Sequence, residues 1–206
     1  MSDALSAAAR TAIGQCLGVG SEESVVVVTD DEREPIGEAM YDAAAAVTDD
    51  VTLLRYPPSD QHGTEPPAPV AAAMAESDVF VAPTTKSLSH TRARGAACAA
   101  DARGATLPGI TQSVFETGLD ADYDAIDAAC DSVLEAVGDA STVRVTAPAG
   151  TDLTVEVGDR EWLADRGVVH APGAFSNLPP REPFLPPEPA RGTVPFAPTM
   201  LPPRRL

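Results

Sequence analysis

The chain has 206 residues, 14 Lys and Arg against 31 Asp and Glu, and a formal net charge of -17. So acidic a chain lacks the basic face that phosphate backbones require, which argues against a nucleic-acid partner. No apolar run approaches the ~20 residues needed to span a bilayer, and Met1 to Ala9 lacks the basic start of a secretory signal.

Only Lys86 is a lysine; the other basic residues are arginines. Strong net charge keeps a protein soluble but strains its compact state, and concentrated salt screens that repulsion. The composition therefore predicts a soluble, cytoplasmic protein adapted to a salt-rich interior; G+C-rich coding would give the same arginine bias. Aromatics are 4% of the chain, so its core must be built from small side chains. Cys16, Cys98 and Cys130 are far apart and lie in alanine-rich stretches, which predicts reduced, buried cysteines rather than a zinc site.

In chain order, Ser2 to Leu17 reads as a helix that Ser2 or Asp3 caps and Gly18 and Gly20 end. Ser24 to Val28 is an all-apolar run, the signature of a buried parallel strand. A helix starts near Glu34, with Pro35 in its first turn. Val51 to Tyr56 is a second strand, and Ser59 to Pro69 a polar, proline-rich loop. Val70 to Glu76 reads as a short helix and Asp78 to Ala82 as a third strand. After a loop from Pro83 to Ser89, Thr91 to Arg103 reads as a helix and Gly104 to Leu107 as a fourth strand. Ser113 to Thr117 is one helical turn. Ala121 to Val137 is an amphipathic helix with Tyr123, Ile126, Cys130, Val133 and Val137 along one side.

Strands alternating with helices predict an α/β fold: an N-terminal, Rossmann-like three-layer domain on a parallel sheet. Beyond it, Thr142 to Thr146 and Thr151 to Val157 alternate around Ala147 to Gly150, a hairpin pattern. The expected division is an α/β domain over 1–138, the beginning of a β-rich second domain over 139–184, and a proline-rich, disordered tail over 185–206. Ten of the 20 prolines lie from Pro179 to Pro203, and residues 181–206 carry a net +2 where the first 180 carry -19. That reversal predicts either a disordered tail, with no regular strand or helix, or a frameshifted or prematurely ended reading frame.

Ligands in such sheets gather at the carboxyl ends of strands. Here these are Thr29 to Asp31, Tyr56-Pro57, Pro83 to His90, and Pro108 to Thr111. The densest polar stretch, Thr84 to Arg94, follows a strand and leads into a helix N-terminus, where backbone N–H groups favour an anion. Lys86, Ser89, His90, Arg92 and Arg94 are the candidates for a ligand, anion or interface cluster. The competing reading is capping by Ser87 or Ser89, with the basic groups paired to acids. Asp30 and Asp31 could bind a cation or cap the next helix. His62 reads as a loop residue and His170 as a core or edge residue. Gly18-Val-Gly20 precedes a strand and so is no dinucleotide fingerprint, and no P-loop, nucleophile elbow or HExxH motif occurs.

Three features carry a resemblance. They are the strand Val25 to Thr29 with its Asp-rich sequel, Ser87 to Arg94 followed by Gly104 to Thr111, and Asn177-Leu178-Pro179-x-x-Glu182. On these the chain, from Ser2 to about Phe184, resembles the thermophilic-type metallo-aminopeptidases typified by leucyl aminopeptidase T. The resemblance implies a two-domain exopeptidase acting on peptides, a homodimer when intact, with two divalent metals (Zn, Co or Mg). Glu182 matches the glutamate of the family's NLPxGE element and is the implied metal ligand, although Arg181 stands where the family has glycine. The family's other ligands and its catalytic tyrosine lie further downstream. One carboxylate cannot hold a metal pair, so the expectation for this chain is little or no peptidase activity. Iron-dependent dioxygenases that cleave dihydroxypyridine rings are similar to these peptidases and give the first alternative. A non-enzymatic α/β binding or dimerisation module, using Lys86 to Arg94 as its contact surface, gives the second.

Overall fold

A computed structural model describes residues 2–179, 182–185 and 189–195 of the chain. Contacts divide the chain into two compact units. Met1–Ala128 with Asp165–Glu182 forms the first; Ala129–Ala164 with Pro183–Leu206 forms the second.

The first unit is built on a five-stranded parallel sheet in the order β2-β1-β3-β4-β8. Its strands are β1 (Val25–Asp30), β2 (Val51–Tyr56), β3 (Val79–Ala82), β4 (Arg103–Thr106) and β8 (Phe175–Asn177). Every residue of β1, β3 and β4 is buried, as strands covered on both faces must be. Side chains alternate faces along a strand, so each face of the sheet collects its own core. Val25, Val27, Val79 and Val81 join α1 (Asp3–Arg10), α2 (Glu34–Ala45), Phe115 and Leu119 on one side. Val26, Val28 and Phe80 join α3 (Ala68–Glu76), Leu88 and α4 (Arg92–Ala99) on the other. This is the three-layer α/β architecture that the alternation of elements predicts.

The first helix departs from its expected form. Ser2 caps it through a hydrogen bond from the Leu5 N–H, but from Thr11 to Cys16 it widens into a π-helical stretch. Gly18 then takes a positive φ of 57°. A Cβ there would sit 2.7 Å from the His170 ring, whose Nε2 lies 2.8 Å from the Gln15 carbonyl. His170 is thus an exposed edge residue closing the turn below the first helix.

The helix expected to reach Arg103 stops at Ala99. Asp101 adopts a left-handed φ of 69°, which ends the helix and frees Arg103 to open β4. Arg103, only 7% exposed, donates two hydrogen bonds of 2.7 Å to Glu23 and others to the Leu17 and Gly18 carbonyls. A buried guanidinium thus satisfies carbonyls that the first helix leaves open at its C-terminus.

After α5 (Gln112–Gly118), helix α6 (Tyr123–Val137) begins in the first unit. The second unit contains an antiparallel sheet, β10-β6-β5, of β5 (Thr142–Ala147), β6 (Thr151–Glu156) and β10 (Ala190–Thr193). The expected hairpin is present in register, with Ala147 opposite Thr151. Strands β7 (Leu163–Asp165) and β9 (Glu182–Phe184) pair as a two-stranded sheet.

Two placements differ from expectation. Residues 165–182, read as part of the β-rich segment, return to the first unit, where β8 adds a fifth strand beside β4. And 185–206 is not wholly irregular: Ala190 to Thr193, a short proline-free stretch that keeps its N–H donors, pairs with β6. Gly192 is required there, since a Cβ would run into the Asp152 carbonyl. The remainder of the expected tail, 186–188 and 196–206, lies outside the described residues. None of the three cysteines forms a disulfide; Cys16 and Cys130 are buried and Cys98 is half-buried. Among the described residues no helix is long and apolar enough to cross a membrane.

Candidate functional site

Strand order reverses between β1 and β3, and a parallel sheet opens a crevice at the carboxyl ends of the strands flanking such a point. Here the protein fills that crevice itself. Asp30, 1% exposed, accepts hydrogen bonds from the Glu32 and Arg33 N–H groups and from both the backbone N–H and the hydroxyl of Thr85. Its carboxylate is saturated, so Asp30 caps the turn into α2, one of its two expected roles. Burial, aided by the nearby Asp30 charge, pushes the Tyr56 hydroxyl up to about 12, so Tyr56 stays neutral.

The predicted anion position at the N-terminus of α4 is also occupied from within. Glu65 accepts from the Arg92 N–H at 2.7 Å and the Ala93 N–H at 3.1 Å. Those backbone bonds, the Arg92 one foremost, hold its carboxyl below the ordinary range. A carboxylate is the chemistry expected at this helix end, and the loop Ser59 to Pro69 supplies it. Thr91 completes the cap by accepting from the Arg94 N–H.

The candidate cluster from Lys86 to Arg94 therefore does not converge. Arg92 is exposed and lies 3.4 Å from Glu65. His90 is exposed, and Lys86 is half-buried in the loop, its carbonyl accepting from the Thr84 hydroxyl. His62 sits against the same loop, its Nδ1 accepting from the Ser87 N–H. Ser89 and Arg94 contact side chains of β4 and β8. The Arg94 guanidinium lies 4.7 Å from the Phe175 ring centroid and donates to the Ser89 carbonyl at 2.8 Å.

Ser89 leads to a group of polar side chains at the carboxyl ends of β4 and β8. Ser89 Oγ, Thr106 Oγ1 and Asn177 Oδ1 lie within 2.8 Å of one another, and Ser87 donates to Ser89 at 2.9 Å. Register explains the meeting: Thr106 pairs with Asn177 across β4 and β8. Beside Asn177 opens a cleft of about 370 Å³ walled by Pro108 to Thr111, Val114, Asp165, Leu178 and Pro179. Gly109 shapes one wall with a φ of 67° and its N–H on the Thr84 carbonyl. Gly118 admits Pro179, whose Cγ sits 2.6 Å from where a Cβ would be. Ser176 donates to Asp165, fixing that carboxylate at the cleft edge.

Two of the strand ends expected to gather ligands, at β3 and β4, thus contribute to this cleft or its support. Asn177, Leu178 and Pro179 of the quoted motif line it. Thr106, Asp165 and the role of Glu65 were not foreseen. The available signal was a hydroxyl residue closing a buried strand, which marks Thr106; Asp165 is fixed by tertiary contacts alone.

Glu182 belongs to the backbone of β9, and its side chain lies outside the described residues, as does Arg181. Among the described residues no three His, Cys, Asp or Glu side chains come together in a way that could hold a metal ion.

A model of the NicX family, described as 2,5-dihydroxypyridine 5,6-dioxygenase, matches residues 4–194. The chain belongs to this family. This match supports the dioxygenase alternative better than the aminopeptidase expectation. Two solved structures share the NicX-family chain's fold. One is 2,5-dihydroxypyridine dioxygenase from Pseudomonas putida KT2440, with a TM-score of 0.64 and 17% identity, covering 85% of this chain and 53% of that one. The other is wild-type AmpT from Thermus thermophilus, with a TM-score of 0.60 and 16% identity, covering 92% of this chain and 63% of that one. At such identities the likeness is one of fold. The chain spans between about half and two thirds of the length of these relatives. No curated protein matches its sequence.

Proposed function

We propose that this protein acts in the ring-opening dioxygenation of a hydroxylated pyridine. The family match, which runs over residues 4–194, carries this reading. The cleft at the carboxyl ends of β4 and β8 supports it, because ligands of parallel α/β sheets bind at that edge. Its walls suit a flat ring: Ile110, Val114, Leu178 and Pro179 give apolar contact, while Asn177 and Asp165 give polar groups at the rim.

Ring-cleaving enzymes of this kind use iron, and the expected divalent metal becomes ferrous iron under this reading. The described residues do not fit a metal site, so no step is routed through one here. What the chain's own groups supply is a place and an orientation for the ring. The aminopeptidase reading keeps only the likeness of fold to AmpT.

The test is oxygen consumption in concentrated KCl with ferrous iron and 2,5-dihydroxypyridine, followed together with the ring's ultraviolet absorbance. Oxygen uptake matched by loss of ring absorbance is expected. An inert ring, with release of p-nitroaniline from amino-acid p-nitroanilides in Co²⁺ or Zn²⁺, would reverse the assignment.

A further inference from the structure

Asn177 is held in a way that decides which end of its carboxamide meets the cleft. Ser89, 3% exposed, and Thr106, fully buried, both place hydroxyl oxygens 2.7 Å from Asn177 Oδ1. That distance is the usual one for a hydroxyl donating to an oxygen and is short for an amide N–H donor. Buried hydroxyls need acceptors, and the carboxamide oxygen serves both. The Ser87 hydroxyl, 2.9 Å from Ser89 Oγ, extends the same chain of donors. Behind Ser89 stands Arg94, whose Nε holds the Ser89 carbonyl while its guanidinium rests on Phe175 of the same strand as Asn177.

With Oδ1 turned inward, the Asn177 NH₂ is the end left for the cleft. It makes no hydrogen bond among the described residues, and Asn177 lines the cleft. The nearby backbone donor at Gly109 is already used on Thr84, while the Thr111 hydroxyl, whose oxygen caps α5 by accepting from the Val114 N–H, keeps its own O–H as a second donor at the cleft wall.

We infer that Asn177 is the substrate-orienting donor of this cleft, giving its amide N–H to a ring oxygen, with Ser89, Thr106 and Arg94 as positioning residues. The ligand class is a heteroaromatic ring bearing a hydroxyl or carbonyl oxygen. The inference rests on the proposed function for its substrate. A site built to hydrogen-bond one ring oxygen discriminates strongly against a group that cannot pair with it. The orientation is fixed before binding, so the ring meets a donor already aimed.

Binding is measured by titration calorimetry under nitrogen, with 2,5-dihydroxypyridine and with 2-pyridone as probes. Asn177→Asp keeps the shape and both hydroxyl contacts but removes the NH₂; about tenfold or greater weakening toward both probes is expected. Thr106→Val, which removes one latch, is expected to weaken binding severalfold, and Thr106→Ser to restore it. The urea midpoint of each variant, compared with wild type, separates this from unfolding, and Asn177→Asp at an exposed position is expected to leave it in place. Equal binding by wild type and Asn177→Asp overturns the inference. A Thr106→Val loss that Thr106→Ser does not relieve overturns the positioning roles. Wild-type binding of 2-pyridone but not of 2,5-dihydroxypyridine, with the Asn177→Asp loss intact, overturns the proposed substrate and supports the donor role. Failure of the wild type to bind either probe overturns both.

Discussion

Arg103 shows how one side chain joins distant parts of the first unit. Its guanidinium enters a site 7% exposed and is matched there by both oxygens of Glu23. Removing one partner of such a pair leaves the other charge uncompensated, so Glu23→Gln is expected to cost about 3 kcal/mol, read from urea denaturation. The Arg103 hydrogen bond is the chief cause holding the Glu23 carboxyl below its ordinary value. A lowered folded value stabilises the protein above the unfolded pKa and is lost as pH falls through the folded one. The urea midpoint of wild type should therefore fall on acidification more steeply than that of Glu23→Gln. Parallel curves would remove Glu23 from the acid response. None of this was legible in the sequence, where Arg103 reads as the end of a helix and Glu23 stands just before the first strand. The left-handed Asp101 makes the difference, and one non-glycine residue in that conformation leaves no trace in periodicity. Glu65 was equally hidden: a glutamate in a proline-rich loop gives no sign that it closes a helix 27 residues away.

Among the elements, the buried strands were the most legible, because a parallel strand covered on both faces is apolar throughout. Val25 to Val28 and Val79 to Ala82 announce themselves this way. β4 is the exception, reading Arg-Gly-Ala-Thr, and its glycine has a packing cause. A Cβ on Gly104 would lie 2.5 Å from the Phe80 ring of the neighbouring β3. Gly104→Ala is expected to destabilise the first unit by about 1–3 kcal/mol through overpacking. Phe80→Leu in the same chain should return part of that loss, and its failure to do so would place the strain in the backbone instead. β8 was not legible as a strand of this sheet. Phe175-Ser-Asn is too short for a periodic signal, and its pairing with β4 joins residues about 70 positions apart. Yet β8 brings Asn177 to Thr106, so the candidate cleft depends on the element least visible in the sequence.

For the molecule as a whole, the net charge of -17 was evident at once, and its physical effect is measurable. Screening length falls from about 8 Å at 0.15 M salt to about 3 Å at 1 M. Raising KCl from 0.15 to 2 M should therefore raise Tm, by about 2–4 °C for each kcal/mol of repulsion relieved. A Tm independent of salt would contradict adaptation to a salt-rich interior. Function was legible only as far as a shared architecture. The Asn-Leu-Pro segment falls at the cleft, but the same fold serves the dioxygenase and AmpT, and fold alone does not choose between chemistries. We propose above that the protein inserts molecular oxygen into a hydroxylated pyridine. Turnover of 2,5-dihydroxypyridine under ¹⁸O₂, with ferrous iron supplied and the product weighed by mass spectrometry, tests it directly. An opened ring carrying two labelled oxygens is expected. A ring left intact, or opened with oxygen drawn only from water, would contradict it.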